Sequence, residues 1–157
     1  MRIGSGHDTH RLEAGRPLIL GGVRIDHPRG LAGHSDADVV LHAIVDSLLG
    51  AAGLGDIGDV YPDSDPAFAG CDSARFVTET VAKLHARGWQ IENIDVTIFA
   101  QEPKLAAWKP AIRESLAALL TVPADAVNVK AKTGEKVGHI GRGEALGCHA
   151  VVLIEKS

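Results

Sequence analysis

The chain holds 157 residues with a formal net charge of -4, 45% hydrophobic and 23% charged residues. That length suits one compact domain, and the acidic balance argues against a nucleic-acid or anionic-membrane partner. No apolar run reaches the ~20 residues of a membrane-spanning helix. Eight histidines stand beside only two Trp, one Tyr and three Phe, so imidazoles are kept where packing rings are scarce. Cys71 and Cys148 are too few for a disulfide framework and fit a reducing cytoplasm. The first residues lack the apolar core of a signal peptide, which points the same way.

Residues 1–7 read as a short strand, and 17–25 (PLILGGVRI) as a hairpin-like pair broken at Gly21 and Gly22. Between 37 and 52, Val40, Leu41, Ile44, Val45, Leu48 and Leu49 recur at helical spacing, with Ser35 or Asp36 as the expected cap and Gly53 beyond the end. A loop rich in Gly, Asp and Pro follows over 53–70. A second helix is predicted over 73–85, and the alternation Ile94, Val96, Ile98 predicts a strand over 89–100. Pro103 opens a third helical segment over 105–120. Val127, Val129 and Ala131 alternate again, a glycine-rich loop covers 134–143, and 148–154 forms a closing apolar strand. This order predicts a single α+β domain over 1–157, sandwich-like, with helices packed on one face of a mixed sheet.

Asp8 and His10, two apart on a strand, share one face and can converge on one ion. His42, inside the first helix, is the best third ligand; Asp38 and Asp46 lie at i−4 and i+4 and could orient its ring. For any of these alone, a solvated strand end or a core histidine is the plainer reading. Together, two imidazoles, a carboxylate and an open position match a catalytic zinc site. His34 and Ser35 stand at the mouth of the same helix, whose free N–H groups attract anions. Capping needs Ser35 or Asp36 but not His34. Asp56, Asp59, Asp63 and Asp65 in the following loop read either as a solvated turn or as carboxylates for ligand hydroxyls, and their spacing is not that of an EF-hand. The stretch VKAKTGEKVGHIGRGE gathers Lys130, Lys132, Thr133, Glu135, Lys136 and Arg142 among glycines. It reads as a basic hairpin loop or as a phosphate cradle with Glu135 as an oxygen ligand for Mg²⁺ or Mn²⁺. It lacks the spacing of a Walker loop, and no Rossmann fingerprint is present. Residues alone therefore point to a phosphate-handling metalloenzyme.

The segments GHDTHRL (6–12), LGGVRI (20–25), GLAGHSDADVVLHAIVDSLLGAAGLGDIG (30–58) and YPDSDPAF (61–68) closely resemble the 2-C-methyl-D-erythritol 2,4-cyclodiphosphate synthase family of the non-mevalonate isoprenoid pathway. NIDVTIFAQEPKL (93–105), VNVKAKTGEK (127–136) and GRGE (141–144) continue the resemblance in order over nearly the whole chain. It implies a cytoplasmic lyase that closes 4-diphosphocytidyl-2-C-methyl-D-erythritol 2-phosphate into a cyclic diphosphate and releases CMP. It implies Zn²⁺ on Asp8, His10 and His42, and Mg²⁺ or Mn²⁺ on Glu135 bridging the substrate diphosphate. His34 and Thr133 would stabilise transition-state charge, and Ser35 would contact the substrate. Asp56, Ile57, Gly58 and Asp63 would hold the erythritol. Ala100, Pro103, Lys104, Leu105, Ala131 and Lys132 would form the cytidine and diphosphate pocket. Family members are homotrimers with sites between subunits, so 100–105 and Thr133 should face Asp8 and His42 of a neighbour. Arg142 and Glu144 would point to a cavity on the threefold axis. Lys132 and Gly134 stand where many relatives carry threonine. His139 stands where phenylalanine is common, which tells against an apolar axial ligand. The competing readings are a zinc-dependent phosphohydrolase and a non-catalytic trimeric metal or nucleotide binder.

Overall fold

A computed structural model describes residues 1–157. A five-stranded sheet runs in the order β4–β1–β7–β5–β6, built from β1 (Arg2–Ala14), β4 (Arg29–Leu31), β5 (Trp89–Phe99), β6 (Val127–Lys132) and β7 (Ala145–Lys156). All neighbours are antiparallel except β5 and β6, which α4 (Lys109–Leu120) joins as a parallel crossover. The predicted pair at 17–25 forms β2 (Leu18–Leu20) and β3 (Val23–Ile25), a separate two-stranded ribbon. Helices α1 (Val39–Ala52) and α3 (Ser73–His85) lie with α4 on one face of the sheet, as the sequence pattern implied. Single-turn helices α2 (Ile57–Val60) and α5 (Gly138–Gly141) complete the fold. No helix is long and apolar enough to cross a membrane.

One contact governs where the site forms. Gly4 and Gly6 face α1, and a Cβ added there would lie 1.9 Å from the Ser47 carbonyl oxygen or 2.0 Å from that of Ala43. The two glycines let α1 rest directly on β1, running antiparallel to it. Asp8 and His10 continue the same face of the pleat and so arrive beside the first turn of α1. The first strand therefore extends well past residue 7, and Asp8 and His10 lie in its middle rather than at its end.

The cap of α1 also differs from expectation. Asp38, fully buried, is the N-cap. Its Oδ1 accepts from the backbone N–H of Val40 and Leu41 at 3.1 Å each and of Gly21 at 2.9 Å, while Oδ2 accepts from Gly22 at 2.8 Å. One carboxylate thus ties the ribbon's turn to the helix start, whereas Ser35 and Asp36 are drawn elsewhere. Further along, α4 begins at Lys109, four residues after the expected start, because residues 101–108 form turns.

Candidate functional site

Three donor atoms meet above the middle of β1. Asp8 Oδ2 lies 2.8 Å from His10 Nε2 and 3.1 Å from His42 Nδ1, and the two ring nitrogens are 3.3 Å apart. Ligands about 2.0–2.1 Å from a tetrahedral zinc stand roughly 3.3 Å from one another, so this triangle fits a small tetrahedral cation with little adjustment. It is the only group of three or more His, Cys, Asp or Glu side chains that could hold a metal ion.

Each imidazole is held by its other nitrogen. His10 Nδ1 lies 2.7 Å from the Ala32 carbonyl, which can only accept, so Nδ1 carries the hydrogen and Nε2 is free to bind a metal. His42 Nε2 faces two hydroxyls, Ser73 Oγ at 2.9 Å and Ser35 Oγ at 3.2 Å. Neither Asp38 nor Asp46 orients this ring, contrary to the helical spacing. Asp38 is consumed by the cap, and Asp46 accepts from the Ile57 N–H at 2.8 Å. Burial disfavours ionisation of Asp8, yet the hydrogen bonds and charge of His10 and His42 outweigh it and hold its carboxyl well below the usual range. Burial likewise disfavours charge on His10, but the Asp8 carboxylate and the Ala32 carbonyl raise its pKa above 6.5.

The metal triad opens into a cavity of about 310 Å³ that His34, Ser35, Ile57, Gly58 and Asp63 also line. Its far wall is aromatic: Tyr61 and Phe76 stack at 4.6 Å, and Phe68 meets each edge-on at 5.6 and 5.5 Å. The loop at the mouth is pinned on two sides. Arg16 donates to the carbonyls of Gly33 and Ser35 at 2.9 Å each. Across the loop, the N–H of Gly70 donates to His34 and that of Asp36 to Cys71. Asp56 does not line the cavity; it caps α2 in a reciprocal box with Asp59, and Asp65 caps the short turn at 66–68. Of the four loop aspartates, only Asp63 reaches the cavity.

A second cavity of about 180 Å³ is lined by Ala100, Pro103, Lys104, Leu105, Ala131, Lys132 and Thr133, together with Lys109. It shares no residue with the first. Asp8 pairs with Cys148, Cys148 with Ile98 and Ile98 with Ala131, so the two cavities lie three strands apart, roughly 14 Å. Glu135 is exposed beyond Thr133 with φ 49°, its N–H donating to Thr133 Oγ1 at 3.2 Å. The glycine-rich loop is no open hairpin: a Cβ on Gly134 would lie 2.4 Å from the Gly141 nitrogen. His139 sits on α5, Arg142 pairs with Glu144 at 2.7 Å, and none of these lines either cavity.

Sequence reasoning missed Arg16, Asp36, Ser73 and the aromatic wall. Asp36 and Ser73 carried only capping or helix-start signals, and three rings spread over 61–76 show no period.

Fold and site together define an α+β domain, built on one five-stranded mixed sheet with a small two-stranded ribbon, that carries an Asp-His-His cation cradle and a separate lysine-lined cleft. The YgbB family matches residues 1–155, and the chain belongs to that family. It is 52% identical over 155 residues to a 2-C-methyl-D-erythritol 2,4-cyclodiphosphate synthase of Bordetella avium, covering 99% of this chain and 96% of that one. It is 55% identical over 155 residues to the Burkholderia lata synthase of the same name, with the same coverage. Among solved structures, a CDP-bound form of this synthase superposes with TM-score 0.91 at 40% identity, covering 98% of this chain and all of that one. The bifunctional IspDF of Campylobacter jejuni superposes with TM-score 0.96 at 40% identity, and there the match covers 99% of this chain but only 42% of the larger protein.

Proposed function

We propose that the chain converts 4-diphosphocytidyl-2-C-methyl-D-erythritol 2-phosphate into 2-C-methyl-D-erythritol 2,4-cyclodiphosphate, as a phosphorus–oxygen lyase of the non-mevalonate isoprenoid pathway. An oxygen of the 2-phosphate bonds to the β-phosphorus. The bond from that phosphorus to the α–β bridging oxygen breaks, and CMP leaves with the electron pair. The observation that carries this reading is the preformed Asp8–His10–His42 triangle, in a chain more than half identical to synthases of that name.

No side chain must act as nucleophile in this reaction; positioning and charge neutralisation supply the catalysis. The donor set and its edges suit Zn²⁺ on Asp8, His10 and His42, with one position left open. A cation there would polarise a phosphoryl oxygen and offset the charge that builds on it. His34 at the cavity mouth and Thr133 would donate hydrogen bonds to the reacting phosphates, and Ser35 would add a contact. Glu135, exposed and beside Thr133, would hold Mg²⁺ or Mn²⁺ against the diphosphate. Ile57, Gly58 and Asp63 would bind the polyol, and Asp56 would act indirectly by fixing the turn that presents them. Lys104 and Lys132 line the second cavity beside the apolar Ala100, Leu105 and Ala131, a mix that suits a cytidine diphosphate.

The separation of the two cavities supports a homotrimer in which one subunit's triad faces a neighbour's cytidine pocket. The uncovered sheet face that carries Ile3, 71% exposed, supports the same assembly. Both cysteines are free, in keeping with a cytoplasmic enzyme. Incubation of the zinc- and magnesium-loaded protein with the cytidyl substrate should release one CMP per cyclic diphosphate seen by phosphorus NMR. A linear product would establish a hydrolase instead, and substrate binding without CMP release a non-catalytic binder.

A further inference from the structure

Arg16, in the turn after β1, directs its guanidinium at two backbone carbonyls and at nothing inside the cavity. Nη1 donates to the Gly33 carbonyl and Nη2 to the Ser35 carbonyl, each at 2.9 Å, while Nε keeps only a loose 3.9 Å approach to Glu13. The planar fork thus grips two peptides, 33–34 and 35–36, at once. In a trans peptide the N–H points opposite to the carbonyl, and the only cis bond in the chain is Glu102–Pro103. Aiming the Gly33 carbonyl at Arg16 therefore turns the His34 N–H away from Arg16. The Asp36 N–H, turned away in the same manner, reaches the Cys71 carbonyl across the loop, but the His34 N–H has no partner in the protein. Arg16 lines a separate groove with Gly15, Pro17 and His27, whereas His34 lines the cavity of the triad. The bare donor consequently lies on the cavity side of the segment.

Glycine at 33 makes this arrangement easy to lose, because a residue without Cβ lets the peptide that follows it rotate at little steric cost. A flipped peptide would face the cavity with the Gly33 carbonyl oxygen, which repels a phosphoryl oxygen where the N–H attracts one. We infer that Arg16 is a positioning residue for the phosphoryl transfer, locking the Gly33–His34 peptide so that its N–H donates to a phosphoryl oxygen of the substrate. The role rests on the cyclase reading, and Arg16 itself touches neither metal nor substrate. The Ser35 N–H is also unpaired, but its peptide is held through the His34 carbonyl by Gly70 and not by Arg16.

The direct test follows the His34 amide in ¹H–¹⁵N spectra of zinc-loaded, histidine-labelled protein titrated with inorganic pyrophosphate. The wild-type amide should move downfield as pyrophosphate binds, and in Arg16→Ala it should not. With the cytidyl substrate, Arg16→Ala should lower kcat about 10–100-fold, toward the scale of a lost oxyanion donor, with KM and zinc affinity each within about threefold of wild type. The Arg16 side chain is 29% exposed, so N-ethylguanidinium can enter the space it leaves and should restore most of the lost kcat. Ethylammonium, which carries the charge without the fork, should not. Arg16→Met, which keeps the stem and removes every donor, gives the same readouts should the alanine variant fail to fold. A silent His34 amide in the wild-type protein, or an unchanged response in a folded variant, would overturn the clamp. So would a kcat close to wild type, or a loss of kcat matched by an equal loss of zinc affinity. A wild-type protein that releases no CMP would instead refute the cyclase reading, because the amide response is read without turnover.

Discussion

Asp8 and His10 titrate in opposite directions, and the sign of each decides how the metal-free protein responds to pH. The Asp8 carboxyl lies below its unfolded value of 3.8, so its contribution to stability is present above that pH and is lost as pH falls through the folded value. The pKa of His10 is raised above 6.5, so its contribution is present below 6.5 and is lost as pH rises through the raised value. Both contributions coexist from roughly pH 4 to 6.5. Thermal melts of metal-free protein should therefore show this pair helping most in that window and less at pH 9. Zinc must displace the His10 proton, so calorimetry in buffers of different ionisation enthalpy should record more proton release at pH 6 than at pH 8. At this scale the triad was legible because two ligands lay at strand spacing and the third on an unmistakable helix. The groups that hold the triad were not. Helical spacing nominated Asp38 and Asp46 as partners of His42, but a buried helix start and the Ile57 N–H claimed them first. Ser73, thirty-one positions from His42, announces nothing in a linear sequence.

The elements that were read well are those with apolar periodicity on one face. β1 shows where that signal fails. Its core-facing positions are Gly4, Gly6, Asp8, His10 and Leu12, so a strand of 13 residues carries almost no hydrophobic alternation. The glycines are there because α1 comes down on the strand, a tertiary fact invisible in local pattern. Gly6→Ala should accordingly cost about 2–3 kcal/mol, the usual scale of overpacking. It should weaken zinc binding as well, because lifting α1 carries His42 away from Asp8 and His10. Gly50 provides the contrast: it lies within α1, exposed, and a Cβ there meets nothing nearer than the Ser5 carbonyl oxygen at 4.0 Å. Gly50→Ala should stabilise the fold by about 0.5–1 kcal/mol through helix propensity, with zinc affinity unchanged. Urea denaturation of both variants beside chelator competition checks the pair. A tolerated Gly6→Ala would mean that helix and strand are not the rigid frame described.

Seen as a whole molecule, the chain carries two half-sites at the same end of one sheet, about three strands apart. The triad was legible as a residue cluster, whereas of the cleft only Lys132 and Thr133 were; Ala100 to Leu105 as its other wall, and its separation from the triad within one subunit, were expectations from family resemblance alone. The face of the sheet opposite the helices bears Ile3 and Leu153 as a cross-strand pair, with Val151 one step along. Replacing Ile3 and Leu153 together by Asp puts two carboxylates on that face while leaving the triad, on the other face, untouched. If the half-sites are joined between subunits, the double variant should sediment as a monomer, bind zinc with wild-type stoichiometry and release no CMP. Zinc retention separates lost assembly from lost folding. A monomer that still forms the cyclic diphosphate would show that one subunit suffices. A trimer that survives both charges would show that this face is not where the subunits meet.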